Sequence, residues 1–323
     1  MVNISIIIPT YHRKDSCIRL LRSIQKQHAK DIEVVVVEQG DNNGKVLNAL
    51  ARLIHIPFQY IFQKEISTSK AKNKGVNVSH GKYIIFYDDD VILQEGAIGN
   101  IIKNFSDKRV GGVCGRVIDP GRRTEKSRVH VGKISILSSF SDGFSSDIRQ
   151  EIDTVIGCNA AWKKDVFEKV GGFDEQFSGN AMREESDLSL RIKKIGYKII
   201  FDPTAPVVHL REPHGGARKA DDRLSWYFHY FSNETYFFLK HRTNILLPLF
   251  LLTRSSSILR CMFGFGREVS IQSLLVPIRG IRDGIRKYDT YRSCRTCLPA
   301  EALAKEGSGI IKIPARPPAT LDA

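Results

Sequence analysis

The sequence predicts an α/β fold: a Rossmann-like, mostly parallel central sheet flanked by helices, with a mainly helical C-terminal extension. Three observations carry this. Apolar, β-branched runs recur at Ile4–Ile8, Ile32–Val37, Phe58–Phe62 and Tyr83–Tyr87. Helix-compatible segments separate them, and alternation of this kind favours parallel strands covered on both faces. After about residue 224 the pattern stops, and dense aromatic and then basic segments take over.

The first strand, Ile4–Ile8, is apolar enough to be buried on both faces. Asp15 or Ser16 caps a helix whose apolar positions Ile18, Leu21 and Ile24 recur at helical spacing. Residues 119–150 are rich in Ser, Gly and Asp with little periodicity, which predicts a long surface loop or lid. A strand is expected over Glu151–Gly157, a helix over Lys163–Val170, and a second helix over Glu185–Ile195 ended by Gly196. The expected division is an α/β domain at 1–224, in two parts at about 1–118 and about 151–218, and an extension at 225–323. The last residues, IPARPPATLDA, have the composition of a disordered tail.

The extension reads in two ways. Its run Ile245–Leu252 is only eight residues long and contains Pro248, too short to cross a bilayer. Ile278, Ile281, Ile285 and Tyr288 form a helical stripe among Arg279, Arg282, Arg286 and Lys287. Such a helix suits an anionic membrane surface, and it equally suits a bundle packed on the α/β domain.

The chain has 323 residues and a formal net charge of +14, about 8 of it after Leu210. A basic surface suits phosphate-bearing substrates, anionic lipid or nucleic acid, but no nucleic-acid recognition motif accompanies it. Six scattered cysteines make no disulfide framework. Cys294 and Cys297 have CxxC spacing without a second pair, so free thiols are expected there and zinc is the alternative. The apolar N-terminal run is cut by Pro9 with no basic region before it, which predicts a strand and not a signal peptide. A cytoplasmic protein, peripheral at the inner membrane face, is the expectation.

Chemistry concentrates at strand ends. Asp88, Asp89 and Asp90 directly follow Tyr83–Tyr87, and three adjacent carboxylates repel unless a cation neutralises them. Hard oxygen ligands suit Mg²⁺ or Mn²⁺ carrying a diphosphate. The alternative is an acidic loop that caps the next helix. Pro9, Thr10, Tyr11, His12 and Arg13 follow the first strand and offer an aromatic face, a hydroxyl and a guanidinium to a base and a phosphate. Glu38 ends the second strand, where its carboxylate could accept from a base N–H. Lys70, Lys72 and Lys74 lie near a helix start that favours an anion. There is no GxGxxG and no P-loop.

In order, the segments IIIPTYHR, VVVVEQGDN, SKAKNKG, FYDDDV, GCNAAWKKDVFEKVGGFDEQF, REESDLSLRIKKIGYKIIFDP and VVHLREPHGG resemble the family 2 glycosyltransferases of the GT-A fold, over roughly residues 3–218. The resemblance implies a nucleotide-diphosphate sugar donor, a divalent metal (Mn²⁺ or Mg²⁺) and inversion at the anomeric carbon. It makes residues 1–224 the catalytic domain, with nucleotide-sugar binding at about 1–118 and the acceptor side at about 151–218. Carried over, it puts Pro9, Thr10, Tyr11, Arg13 and Glu38 around the nucleotide. Lys72, Asn73, Asp88 and Asp89 join the donor site; Asp90, Asp88 and His209 become metal ligands, and Glu185 the catalytic base. Two departures stand out: Lys72 where the family usually has Arg, and Glu at positions 38 and 185 where it usually has Asp. On residue type alone, His209 also reads as a buried strand-end histidine and Glu184 as a solvated helix cap. Gly171–Asp174 reads as a turn beneath the acceptor site.

The expected partners are a nucleotide-diphosphate sugar, a saccharide or lipid-linked saccharide acceptor in cell-surface polysaccharide or glycolipid synthesis, and an anionic membrane surface. Nucleic acid is not expected. A nucleotidyltransferase would carry a glycine-rich basic loop where PTYHR stands. A non-catalytic sugar-binding protein on this fold would have lost the acidic cluster or the base, and both are present.

Overall fold

Branched Ile and Val side chains fit a pleated surface covered from both sides, so the apolar runs become strands. A computed structural model describes residues 2–40, 56–122, 127, 129–216, 223–263 and 270–296. Its strands are β1 (Ile4–Thr10), β2 (Ile32–Gln39), β3 (Phe58–Gln63), β4 (Tyr83–Tyr87), β5 (Val91–Leu93), β6 (Val110–Ile118), β7 (Gln150–Glu151), β8 (Asn159–Lys163) and β9 (Lys198–His209). They form one sheet in the order β3-β2-β1-β4-β8-β6-β9-β5, with β7 also pairing β9.

β3, β2, β1 and β4 are mutually parallel, as the sequence predicts. The other half is mixed, because β8 runs antiparallel to both β4 and β6. This brings chemistry to one edge. Antiparallel pairing sets Asn159 at the start of β8 opposite Tyr87 at the end of β4. It also sets His209 at the end of β9 opposite Val91. Ligands at the carboxyl ends of the parallel strands therefore meet the residues before β8 and at the end of β9.

The expected strand at 151–157 is not formed. Only Gln150–Glu151 pairs, and the strand is β8, seven residues later. Val155, Ile156 and Gly157 line a cavity instead, and the Ala-rich β8 buries Ala160, Ala161 and Trp162 between two strands. No alternation marks a strand covered on both faces.

Helices α1 (Lys14–Gln25), α2 (Thr68–Val78), α3 (Ala97–Lys103), α4 (Lys164–Lys169) and α5 (Glu184–Lys194) flank the sheet. α1 buries Cys17, Leu20, Leu21 and Ile24, close to its expected face. α2 starts at Ser67, whose side chain accepts from the Lys70 N–H. Gly171 and Gly172 turn the chain after α4 in the left-handed region, φ +83° and +69°. The 129–149 segment is largely irregular, as expected, but it buries Val131, Ser138, Phe144 and Ser146.

The extension comprises α6 (Arg223–His241), α7 (Leu247–Thr253), α8 (Ser255–Phe263) and α9 (Ile271–Thr296). Of the expected membrane stripe on α9, Ile281, Ile285 and Tyr288 pack into apolar clusters with α6, α7 and α8, and Ile278 stays exposed. The stripe is thus mainly a bundle seam. Glycine permits it: a Cβ at Gly280 or Gly284 would come within 2.7 or 2.5 Å of the Phe228 or Ser232 carbonyl oxygen. Cys17, Cys114, Cys158 and Cys261 are buried free thiols and Cys294 is an exposed one; Cys297 and the expected disordered tail lie outside the described residues.

Buried charge fastens the extension to the rest. Glu234 on α6 accepts from Arg183 Nε at 2.6 Å and from Arg254 Nη2, between α7 and α8, at 2.7 Å. Both guanidiniums also donate to the Ser138 carbonyl, at 2.6 and 3.3 Å. Asp187 on α5 pairs with Lys240 at 2.8 Å and His241 at 2.7 Å. Burial alone would raise the Glu234 pKa, but Arg183 and Arg254 reverse this and hold it below the usual range. Its folded carboxyl binds a proton less readily than the unfolded one. The stabilisation is therefore complete above about pH 4.3 and is lost as pH falls through the depressed value. Glu234→Gln should lower the unfolding free energy in urea by about 3–5 kcal/mol, since two guanidiniums stay buried without their anion. It should also flatten the stability profile below about pH 5.

Candidate functional site

The turn from β4 into β5 divides the three carboxylates between two jobs. Asp89 points inward, accepting from Thr10 Oγ1 at 2.7 Å and Arg13 Nη1 at 3.2 Å. Burial pushes its pKa up to about 7, against the pull of Thr10 and Arg13. Asp88 and Asp90 meet His209, with one donor atom from each lying within 4.8 Å of the others.

Asp90 is also held by Arg13 Nη1 at 2.9 Å and the Glu212 N–H at 3.1 Å. Burial would raise its pKa, but His209, Arg13 and that N–H bring it below the usual range. Its Oδ1 lies 3.2 Å from His209 Nε2, yet neither this oxygen nor His209 Nδ1 makes a hydrogen bond. A buried carboxylate oxygen without a donor, facing a second carboxylate and an imidazole, suits a divalent cation. Asp119 stands 3.5 Å from His209 Nδ1 and is held by Arg211, so it can fix the ring with Nε2 toward Asp90.

A second cluster surrounds the start of α5. Arg183 precedes it in the left-handed region, φ +76°. Glu184, expected as a solvated cap, is buried and accepts from Ser69 Oγ and from Lys72 Nζ, the latter at 2.7 Å. Burial raises its pKa to about 7 despite Lys72. Lys72 itself, 1% exposed, also donates to Glu185 Oε1 at 3.0 Å. Burial disfavours its charge, but Glu184, Glu185 and Asp88 keep it an ammonium, with its pKa raised. Asp187 is fully buried and is held well below the carboxylate range by Arg191, Lys240 and His241, which outweigh its burial. Glu185 is the half-buried member of this series that faces open space. Gly157 makes room for it, since a Cβ there would lie 2.0 Å from Glu185 Oε1.

Both clusters line one cavity of about 460 Å³. Pro9, Tyr11, Arg13, Lys72, Asp88, Asp89, Asp90, Glu185 and His209 all reach its wall. Thr10, Glu38 and Asn73 do not. Thr10 holds Asp89, Glu38 accepts from the Tyr60 hydroxyl at 2.6 Å, and Asn73 clasps Phe173 through both its backbone groups. The Arg13 guanidinium is spent on Asp89, Asp90 and the carbonyls of Glu212 and His214. Those bonds brace the turn from the cavity wall. Sequence reasoning missed Gly157, Asp119, Arg183 and Arg211. Only Gly157 carried a signal, standing before the Cys158–Trp162 run.

With this geometry in hand, the comparisons with known proteins are specific. The model of glycosyl transferase family 2 matches residues 5–171. The O-antigen chain rhamnosyltransferase RfbN of Salmonella typhimurium is 28% identical over 213 residues, covering 64% of this chain and 66% of that protein. The GalNAc(5)-diNAcBac-PP-undecaprenol β-1,3-glucosyltransferase of Campylobacter jejuni is 26% identical, over 56% of this chain and 57% of that protein. The chain thus matches less than two thirds of either relative's own length. Among solved structures, the mannosyltransferase PcManGT of Pyrobaculum calidifontis, in complex with GDP-Man and Mn²⁺, superposes with a TM-score of 0.53. It is 16% identical, with 95% of this chain and 79% of that one covered, and shows the fold to be shared.

The donor set makes its own forecast. Mn²⁺ titration followed by paramagnetic resonance should show one site that Asp90→Ala removes. Asp119→Asn, which leaves every proposed ligand in place but removes the carboxylate between His209 and Arg211, should weaken it by about 10–100-fold.

Proposed function

The chain belongs to glycosyl transferase family 2, and on that premise we propose that it is an inverting enzyme. It would move a sugar from a nucleotide-diphosphate donor to an acceptor hydroxyl. One observation carries the reading: Asp88, Asp90 and His209 face the same cavity as Glu185, a carboxylate braced from beneath by a buried lysine.

Pro9 and Tyr11 offer the nucleotide base a flat wall, with Tyr11 packed close over Gly40. Asp88, Asp90 and His209 would hold the divalent ion, Mn²⁺ or Mg²⁺, which absorbs charge on the departing diphosphate. Thr10 and Arg13 act by holding Asp89 and Asp90 in place. Glu185 takes the proton of the acceptor hydroxyl as that oxygen attacks the anomeric carbon opposite the leaving phosphate. Lys72 keeps the Glu185 carboxylate aimed, and Glu184 shares its charge. Asn73 fixes the 173–175 turn beneath the acceptor side.

The acceptor we propose is a lipid-linked saccharide in cell-surface polysaccharide or glycolipid synthesis. Support comes from the O-antigen and undecaprenol-linked chemistry in the two relatives' names. Among the described residues no single helix is long and apolar enough to cross a membrane. We place the enzyme peripherally, at the cytoplasmic face of the bilayer that holds such an acceptor, because the acceptor chemistry of those relatives is membrane-bound.

The experiment is a panel of nucleotide sugars scored for donor hydrolysis and transfer, with chelator and with added Mn²⁺ or Mg²⁺. Turnover that persists in excess chelator would sink the metal-dependent reading. Glu185→Gln should cut transfer by about 10²–10⁴ while nucleotide binding survives, because an amide cannot accept the proton. Gly157→Ala should act similarly through displacement. Its Cβ would stand 2.0 Å from Glu185 Oε1 and 3.2 Å from Lys72 Nζ, both ends of side chains and not backbone, so turnover falls by at least about tenfold while the melting temperature moves little.

A further inference from the structure

Nine of the twelve exposed large hydrophobic side chains among the described residues fall between Ile245 and Ile278. They sit at helical spacing on adjoining segments. Ile245, Leu249 and Leu252 lie along α7 and the turn before it, Leu259 and Phe263 along α8, and Ile271, Leu274, Leu275 and Ile278 along α9. Ile245 is 82% exposed, Ile271 76% and Leu252 68%. The opposite sides of the same helices are spent on the bundle: Phe250, Cys261 and Val276 are buried against α6. So each helix carries apolar side chains outside the packed seam, and these have no cover among the described residues. Clusters of this size mark interaction surfaces.

We propose that α7, α8 and the start of α9 form a wedge that seats in the headgroup and upper acyl region of an anionic bilayer. The proposal deepens the membrane-side reading above and rests on it. Charge chooses the bilayer over a protein partner. Arg260, Arg279 and Arg282 are exposed beside the stripes, and the described residues from Asn244 to Arg282 include no acidic side chain; the next acid, Asp283, is already engaged by Ser232, Arg286 and Lys287. Two copies meeting on this face would bring two arginine rims together, whereas anionic headgroups neutralise one.

Geometry limits the depth. The helices bend by 51° where α7 meets α8, and α7 is only seven residues long, about 10 Å. Buried Arg254 holds that bend through Glu234. The same Glu234 grips Arg183, the residue before α5, so the wedge has a fixed orientation relative to the cavity.

The test is co-sedimentation of the full chain with vesicles of phosphatidylglycerol and phosphatidylcholine, and with phosphatidylcholine alone. The wild type should pellet with the anionic vesicles at low salt and keep part of its binding in 1 M NaCl, since salt screens charge and not apolar burial. The triple variant Ile245→Glu, Leu252→Glu, Leu259→Glu should lose at least about tenfold in partition. Its melting temperature and metal-dependent donor hydrolysis should stay at wild-type values, because these side chains are exposed and off the cavity wall. A wild type that stays in the supernatant, or a variant that binds equally well, overturns the wedge. So does a wild-type dimer in solution that the variant converts to monomer without vesicle binding by either, which would assign the surface to a second copy. Loss of donor hydrolysis in the wild type would instead strike the enzymatic reading and leave the vesicle result standing.

Discussion

Charge that is shut away from water must find a partner, and Glu234 shows how far that requirement reaches. Its carboxylate holds one arginine from the start of α5 and another from the bend between two C-terminal helices. Both arginines then donate to the same carbonyl in the long irregular segment. Four parts of the chain are thereby set against each other by one anion. Unpaired, any of the three ions would cost several kcal/mol, so these parts move as a unit or not at all.

The same rule organises the cavity on a smaller scale. Three adjacent carboxylates would repel, and the protein divides them: Asp89 turns inward to Thr10 and Arg13, leaving Asp88 and Asp90 with His209. Across the cavity, Lys72 sits between Glu184 and Glu185, so two carboxylates share one buried ammonium. Glu184 lies in the interior and Glu185 opens toward the cavity.

Periodicity and strand-end chemistry made much of this legible in the sequence. The four parallel strands appear where apolar runs stand, because a strand buried on both faces has a local signature. The Asp88–Asp90 turn and Tyr11 stood out by residue type at strand ends, and Glu185 and His209 by the resemblance to the family. β8 was not, since the five residues NAAWK, enclosed by two strands, carry no alternation. Nor was the α9 seam. An amphipathic stripe reports that something covers it without saying whether that is lipid or a neighbouring helix, and Gly280 and Gly284 settle it only when α6 is seen against them.

By itself, then, the sequence determined the fold class, the family and the residues that could do chemistry, because these follow from local pattern and side-chain type. Tertiary structure alone decided which of those residues face the cavity. Arg13, Thr10 and Asn73 have the right groups for a ligand, yet their hydrogen bonds go to the protein's own turns. Glu184 and Glu185 are neighbours of identical chemistry, and only the direction each leaves the helix separates a buried brace from an exposed carboxylate. Direction, burial and pairing are properties of segments far apart in the chain that meet in space, and no local pattern records them.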